Sequence, residues 1–267
     1  MENTAEGSAY DLLHGSIVTG PIRLAWAEAP WDTAVFGYPV VQVATIEARD
    51  GAQASDLAPF VDACGTGGVG LASCRLAHDR LRESMLLETI GFRFIEMVFQ
   101  PEFDDLQSSG PGDAQGLEVV RAEAADLAQI VEVAGAAFGC ERFHVDPRLP
   151  SRLGDLRYQN WVRSSLDHPT QRLYAVRDAG QLVSFFVTET LADGTCYWHL
   201  NAVAPARQGM GYGLRAWRAM MHQARMEGAT RVRTSIVARN HRVLNLYARL
   251  GFSFPAPSMT FHWVRAA

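Results

Sequence analysis

The chain has 267 residues, 48% of them hydrophobic and 20% charged, with a formal net charge of −5. That is globular rather than disordered composition, and an acidic total without any Lys/Arg run argues against a nucleic-acid partner. The length accommodates one large domain or two modest ones.

No stretch of 18 apolar residues occurs, so no membrane partner or span is expected. Residues 1–20 lack the basic start and apolar core of a secretory signal, so a cytoplasmic protein is expected. Cys64, Cys74, Cys140 and Cys196 are scattered, with no C-x-x-C pair and no His at ligand spacing. They read as four buried thiols in a reducing compartment, and no metal is expected.

Along the chain, residues 54–63 look helical, 69–76 look like a strand, and 94–99 form another strand-like run. Between the first two, Gly65-Thr66-Gly67-Gly68-Val69-Gly70 matches G-x-G-x-x-G. A dinucleotide site needs a strand before that motif and a helix after it. Here the order is reversed, so a helix-ending turn is expected. Residues 103–116, FDDLQSSGPGDAQG, cluster Ser, Gly, Pro and Asp without apolar period and read as a linker between 1–102 and 117–267.

After it come a strand at 117–121, an amphipathic helix at 126–138, a loop at 139–152 and a helix around 155–166. Strands at 172–177, 181–190 and 195–203 follow, joined by Asp178-Ala179-Gly180 and Ala192-Asp193-Gly194, turns short enough for antiparallel hairpins. A helix at 214–227 ends at Gly228, a strand spans 231–237, and a helix at 240–250 starts on the capping residue Asn240 and ends at Gly251. Short strands at 252–254 and 259–264 close the chain. The class is α+β, a mixed, mostly antiparallel sheet flanked by helices. Leu86–Phe94, with its Ile-Gly-Phe-x-Phe ending, lines up with Leu246–Phe254 as a degenerate repeat in which Leu87 stands for Tyr247.

Gln208-Gly209-Met210-Gly211-Tyr212-Gly213 has the context that Gly65–Gly70 lacks: a strand before it and a helix after it. Missing Cβ atoms let a phosphate approach the backbone, and the first-turn N–H groups and helix dipole attract it. No P-loop Lys-Ser/Thr is present, so magnesium-assisted NTP hydrolysis is not implied. A pyrophosphate held by amides is the expectation, although the segment alone also fits a glycine-rich helix start without a ligand.

Gln208-x-x-Gly211-x-Gly213 after Val203-Ala204-Pro205, followed by Asn240, Tyr247 and Gly251-Phe252, resembles the GNAT superfamily of N-acetyltransferases over residues 117–267. The resemblance implies an acyl-CoA co-substrate, acetyl-CoA or another. Its pyrophosphate would lie on residues 208–213 with Asn240 nearby, and its pantetheine arm along the backbone of Asn201, Ala202 and Val203. A backbone N–H near Val203 would serve the oxyanion, and Tyr247 would reprotonate the leaving thiolate. On residues alone, Tyr247 lies on an apolar helix face and also fits plain packing.

For the base, His199 lies in Tyr197-Trp198-His199-Leu200-Asn201, where alternation would put Tyr197, His199 and Asn201 on one face and Trp198 and Leu200 on the other. A neutral imidazole there could take the amine proton; a structural histidine fits equally, with Glu189 and His144 as reserves.

The loop Arg142-Phe143-His144-Val145-Asp146-Pro147 and the segment Trp31-Asp32-x-x-x-Phe36-Gly37-Tyr38-Pro39 resemble bacterial nucleotide-sugar amine acetyltransferases of the dTDP-fucosamine type, which carry a truncated, acyltransferase-like N-terminal lobe. This implies a small polar acceptor amine, an amino-sugar or natural-product intermediate, met by Arg142, His144, Asp146 and Asn201. A solvated turn is the plainer reading of Asp146-Pro147. Cys140-Glu141 departs from that group, and basic residues are few beyond Arg142, Arg148, Arg152 and Arg157, so another amine stays open. A non-catalytic acyl-CoA-binding module and a protein or amino-acid N-acetyltransferase are the alternatives. The resemblance and the sheet's exposed edges imply a homodimer.

Overall fold

The structure is a computed structural model describing residues 15–108 and 116–265, so residues 109–115 of the expected linker lie outside the described residues. The chain divides into a first unit, Met1–Met97 with Ser258–Ala267, and a second, Val98–Pro257.

In the first unit, β1 (Gly15–Thr19), β2 (Ile22–Glu28) and β3 (Val40–Ala48) form an antiparallel meander, with α1 (Pro30–Phe36) between β2 and β3. A 3-10 turn at Ala54–Leu57 leads into α2 (Ala58–Thr66), and β4 (Leu71–Ala77) returns parallel to β3. Then come α3 (Leu81–Thr89) and β5 (Arg93–Phe99). Leu57, Phe60 and Leu87 pack on Leu24, Val43 and Cys74 to make the core. Gly65–Gly70 is the expected helix-ending turn, between α2 and β4. Its Gly70 donates N–H to the Pro39 carbonyl at 2.9 Å, and a Cβ there would strike the Tyr38 ring.

The second unit begins with β6 (Glu102–Phe103) and continues through β7 (Glu118–Arg121), α4 (Ala124–Ala137), α5 (Arg142–Val145) and α6 (Ser151–Ser165). Next are β8 (Gln171–Asp178), β9 (Gln181–Thr190), β10 (Thr195–Val203), α7 (Tyr212–Met226), β11 (Arg231–Thr234), β12 (Ile236–Val237) and α8 (His241–Arg249). The strand order is β6-β11-β10-β9-β8-β7, antiparallel apart from the β10–β11 pair. Trp217 and Met220 of α7 pack on one face with Trp198 and Phe186, while Ile130, Tyr158 and Val162 of α4 and α6 cover Phe185, Leu200 and Ala202 on the other.

Several boundaries differ from the sequence reading. Residues 103–108 are not a free linker: Phe103 pairs with Val232, and Leu106 is buried because an apolar side chain among polar ones still gains by leaving water. The loop at 139–152 contains α5, and α6 starts at Ser151. The strand expected at 231–237 breaks at Ser235, and 252–254 makes only a Glu102–Ser253 bridge. The closing strand, β13 (Ser258–Val264), was expected to belong to 117–267. It pairs antiparallel with β4 in the first unit, its Phe261 and Met259 completing that core.

Candidate active site

The central strand β10 carries a bulge. Trp198 pairs with Thr188 and Leu200 with Val187, so His199 is the extra residue. This breaks the expected alternation. Trp198 packs on the α7 face but Leu200 on the α4/α6 face, so His199 no longer shares a face with Asn201. The period-2 rule fails because one inserted residue reverses every side chain beyond it.

Pairing of β10 with β11 also ends there, at Trp198–Thr234. Thr234 donates its hydroxyl to the Trp198 carbonyl at 2.9 Å, and beyond Ser235 the chain pairs as β12 with Val98 and Phe99 instead. Among the described residues, no strand pairs with β10 on that side past Trp198. Ala204 donates its N–H to Val183 on β9. By antiparallel alternation Ala202 also faces β9, while Asn201 and Val203 turn their backbone groups to the open edge. Of the three residues expected along a pantetheine arm, Asn201 and Val203 thus offer the edge and Ala202 supports it.

The glycine segment leaves β10 through a 3-10 turn, Pro205–Arg207. Gly209 and Gly211 have φ of +80° and +83°, left-handed conformations that side chains resist. Gly211 is the N-cap of α7 and no side chain caps that end, so the first-turn N–H groups remain for a ligand. Gly213 differs: a Cβ there would make only ordinary contact with Leu246 of α8, at 3.5 Å. Gln208 donates its amide to the Val203 carbonyl at 3.2 Å and accepts from Arg242 at 3.4 Å. Met210 is exposed. Tyr212 donates its hydroxyl to Asp178 at 2.9 Å, and Arg215 meets the same carboxylate at 3.3 Å. Asp178, read from sequence only as turn chemistry, thus ties the β8–β9 turn to the first turn of α7. Asn240 caps α8, accepting from the Val243 N–H at 3.3 Å.

Tyr247 is 1% exposed, among Phe252 at 5.0 Å and Trp217 at 6.5 Å between ring centroids. Burial pushes its phenol above the ordinary value, opposed by the polar side chains of Trp217, Thr234 and Asn201. It holds its proton at neutral pH, where it can serve as an acid and not as a base. Across the sheet, His199 Nε2 lies 2.9 Å from Glu189 Oε2, with Tyr197 and Trp161 rings 4.9 and 5.9 Å away.

The Arg142–Pro147 loop is internally anchored. Asp146 is 1% exposed and takes a two-point contact from Arg148, 2.9 and 2.8 Å. His144 stacks on Tyr158, lies 2.9 Å from Asp155, and packs on Gly154, where a Cβ would come within 2.6 Å. These contacts give Asp146 and His144 positions inside the loop rather than on its surface. Arg142 lies over Phe143, its guanidinium 4.6 Å from the ring centroid. The cysteines also depart in one case: Cys140 is half-buried, while burial raises Cys64 to about 11 and Cys74 and Cys196 to about 12. Three are therefore inert as thiolates.

A helix start open to anions, beside the unpaired edge of a bulged central strand, is a frame for holding an extended phosphorylated ligand. Residues 127–252 match the model of the family described as "Acetyltransferase (GNAT) family". The spore coat polysaccharide biosynthesis protein SpsD of Bacillus subtilis (strain 168) is 23% identical over 162 residues, 61% of this chain and 51% of that one. The chain therefore spans about half the length of that curated relative. A functionally unknown conserved protein from Staphylococcus epidermidis ATCC 12228 shares the fold at a TM-score of 0.66 and 13% identity, over 95% of each chain. A GCN5-related N-acetyltransferase from Kribbella flavida shares it at a TM-score of 0.59 and 15% identity, over 95% of this chain and 90% of that one. At those identities the structures speak for fold alone, and the family model matches residues 127–252, somewhat under half of the chain. No helix among the described residues is long and apolar enough to cross a membrane.

Proposed function

We propose that the protein is an acyl-CoA-dependent N-acyltransferase that uses acetyl-CoA and acylates the amine of a small polar molecule. The observation that carries this reading is the uncapped, glycine-built start of α7 beside the open edge of β10. The residues fit the donor: Gly209, Gly211 and the first-turn amides would hold the pyrophosphate, with Gln208 and Arg242 beside them. The backbone of Asn201 and Val203 would hold the pantetheine arm. When bound, acyl-CoA supplies an acyl group on a good leaving thiolate.

This chain's own groups then do three things. A backbone N–H at the open edge near Val203 stabilises the oxyanion. The Tyr247 phenol, kept protonated by burial, donates toward the leaving sulfur from the α7/α8 face. His199 takes the amine proton from the α4/α6 face, opposite Tyr247, while the bulge turns Asn201 to the Tyr247 side. SpsD is named for polysaccharide biosynthesis, which supports an amino-sugar acceptor. Incubation with acetyl-CoA and a panel of amino-sugars and other amines, with thiol release read out, tests the proposal. Release with an amino-sugar is expected; no release with any short acyl-CoA and any amine would overturn it.

A further inference from the structure

The buried carboxylate of Glu189 has no part in the reading above. It is 5% exposed in the otherwise uncharged run of β9 and faces Tyr197 in the register. A carboxylate in such a place is costly unless it is matched by a hydrogen-bonding partner. It has one: His199, the residue at the bulge, sets its Nε2 2.9 Å from Glu189 Oε2.

From this contact we infer that Glu189 is a positioning residue that fixes the tautomer and orientation of His199, so that Nδ1 is the atom that gains and loses the proton. An ionised carboxylate only accepts hydrogen bonds. Nε2 must then carry a hydrogen in both the neutral ring and the imidazolium. The proton leaving the acceptor nitrogen goes to Nδ1 as the nitrogen lone pair becomes available for attack, and it departs from Nδ1 to solvent afterwards. The Trp161 and Tyr197 rings, 5.9 and 4.9 Å from the imidazole, restrict its rotation. Without the bulge, the side chain at 199 would alternate normally from Tyr197, and Leu200 would fall on the other face; the insertion sets Leu200 beside His199 and leaves Asn201 on the Tyr247 side.

The inference rests on the acyltransferase reading for its purpose, but its test does not. In the full chain labelled with 15N-histidine, long-range proton–nitrogen spectra report which ring nitrogen of each histidine bears hydrogen, and His199→Asn identifies the signal. At neutral pH the wild-type ring is expected in the Nε2–H form. Glu189→Leu is expected to lose that preference; Glu189→Gln, which keeps the volume, serves if the Leu variant does not fold and is expected to lower the Nε2–H fraction. An Nδ1–H ring in the wild type, or a ratio unmoved in the folded variant, would overturn the inference and leave the functional reading intact. Where an acceptor has been found, Glu189→Gln should lower kcat about tenfold or more with the KM for acetyl-CoA unchanged. A change confined to KM would contradict a role through His199.

Discussion

The two units run through the same succession: an antiparallel meander, a parallel crossover through a helix, then one more helix. They nevertheless lead into the crossover helix through different backbone. In the first unit, β3 passes to α2 through a turn in which Gln53 and Asp56 cap each other reciprocally, the Gln53 N–H donating to the Asp56 carboxylate at 2.9 Å. That box closes the 3-10 turn, and α2 itself starts after Leu57 with no side-chain cap and with Pro59 in its first turn. In the second unit, β10 passes to α7 through Gly209 and Gly211 with no side-chain cap. The helices that follow, α3 and α8, end alike. Phe92 donates its N–H to the Leu87 carbonyl at 3.0 Å and Phe252 to that of Tyr247 at 3.1 Å, with Gly91 and Gly251 both at positive φ. One packing device thus serves both units, while a positive-φ glycine at the N-cap of the crossover helix, and a phenol in the place of Leu87, occur only in the second. The comparison separates what holds the fold from what we propose holds a ligand.

The largest expected effect is on turnover. Tyr247→Phe should lower kcat by about ten- to ten-thousand-fold, the range for general acid catalysis, with little change in the KM for acetyl-CoA. An unchanged kcat would reduce Tyr247 to the packing role of Leu87. Because burial raises the phenol, the wild-type rate should show no loss from its ionisation between about pH 7 and 9, where it stays protonated. A Tyr247-dependent fall in that window, absent from the Phe variant, would contradict this.

The mirror experiment belongs to the first unit. Leu87→Ala empties a fully buried position and should cost about 2–5 kcal/mol in urea unfolding while leaving acetyl-CoA affinity unchanged in the folded protein. A loss of affinity in step with stability would mean the first unit carries more than packing. The smallest effect is expected at Asp178. Its carboxylate is about a third exposed, so Asp178→Asn should weaken acetyl-CoA binding by no more than about fivefold, the scale of an exposed ion pair. A much larger loss by calorimetry would make the Tyr212–Asp178 contact a determinant of the loop's shape.

Much of this was legible in the sequence. The limits of β9 and β10, the Asn240 cap and the reversed order around Gly65–Gly70 all follow from patterns within a few residues. What escaped depends on distant partners. The bulge at His199 is written in no local pattern, because its register is set by β9 and β11 together. The membership of β13 in the first unit turns on which sheet edge accepts Phe261, and its alternating sequence suits either. The topological repeat extends far beyond the helix ending where sequence likeness persists, since strand order constrains only apolar pattern. Asp146 and His144 looked like surface chemistry, and only the Arg148 contact and the Tyr158 stack show them anchoring their own loop.

The central claim is that one acyl-CoA site exists per chain and that it is built on the glycine start of α7. Calorimetric titration of acetyl-CoA into the full chain and into Gly211→Val tests it directly. A β-branched side chain at φ +83° is strained and narrows the approach to the amides. The account predicts one molecule bound per wild-type chain and at least about tenfold weaker binding, about 1.4 kcal/mol, in a variant that still unfolds cooperatively. Two molecules per chain, or undiminished affinity in folded Gly211→Val, would contradict it.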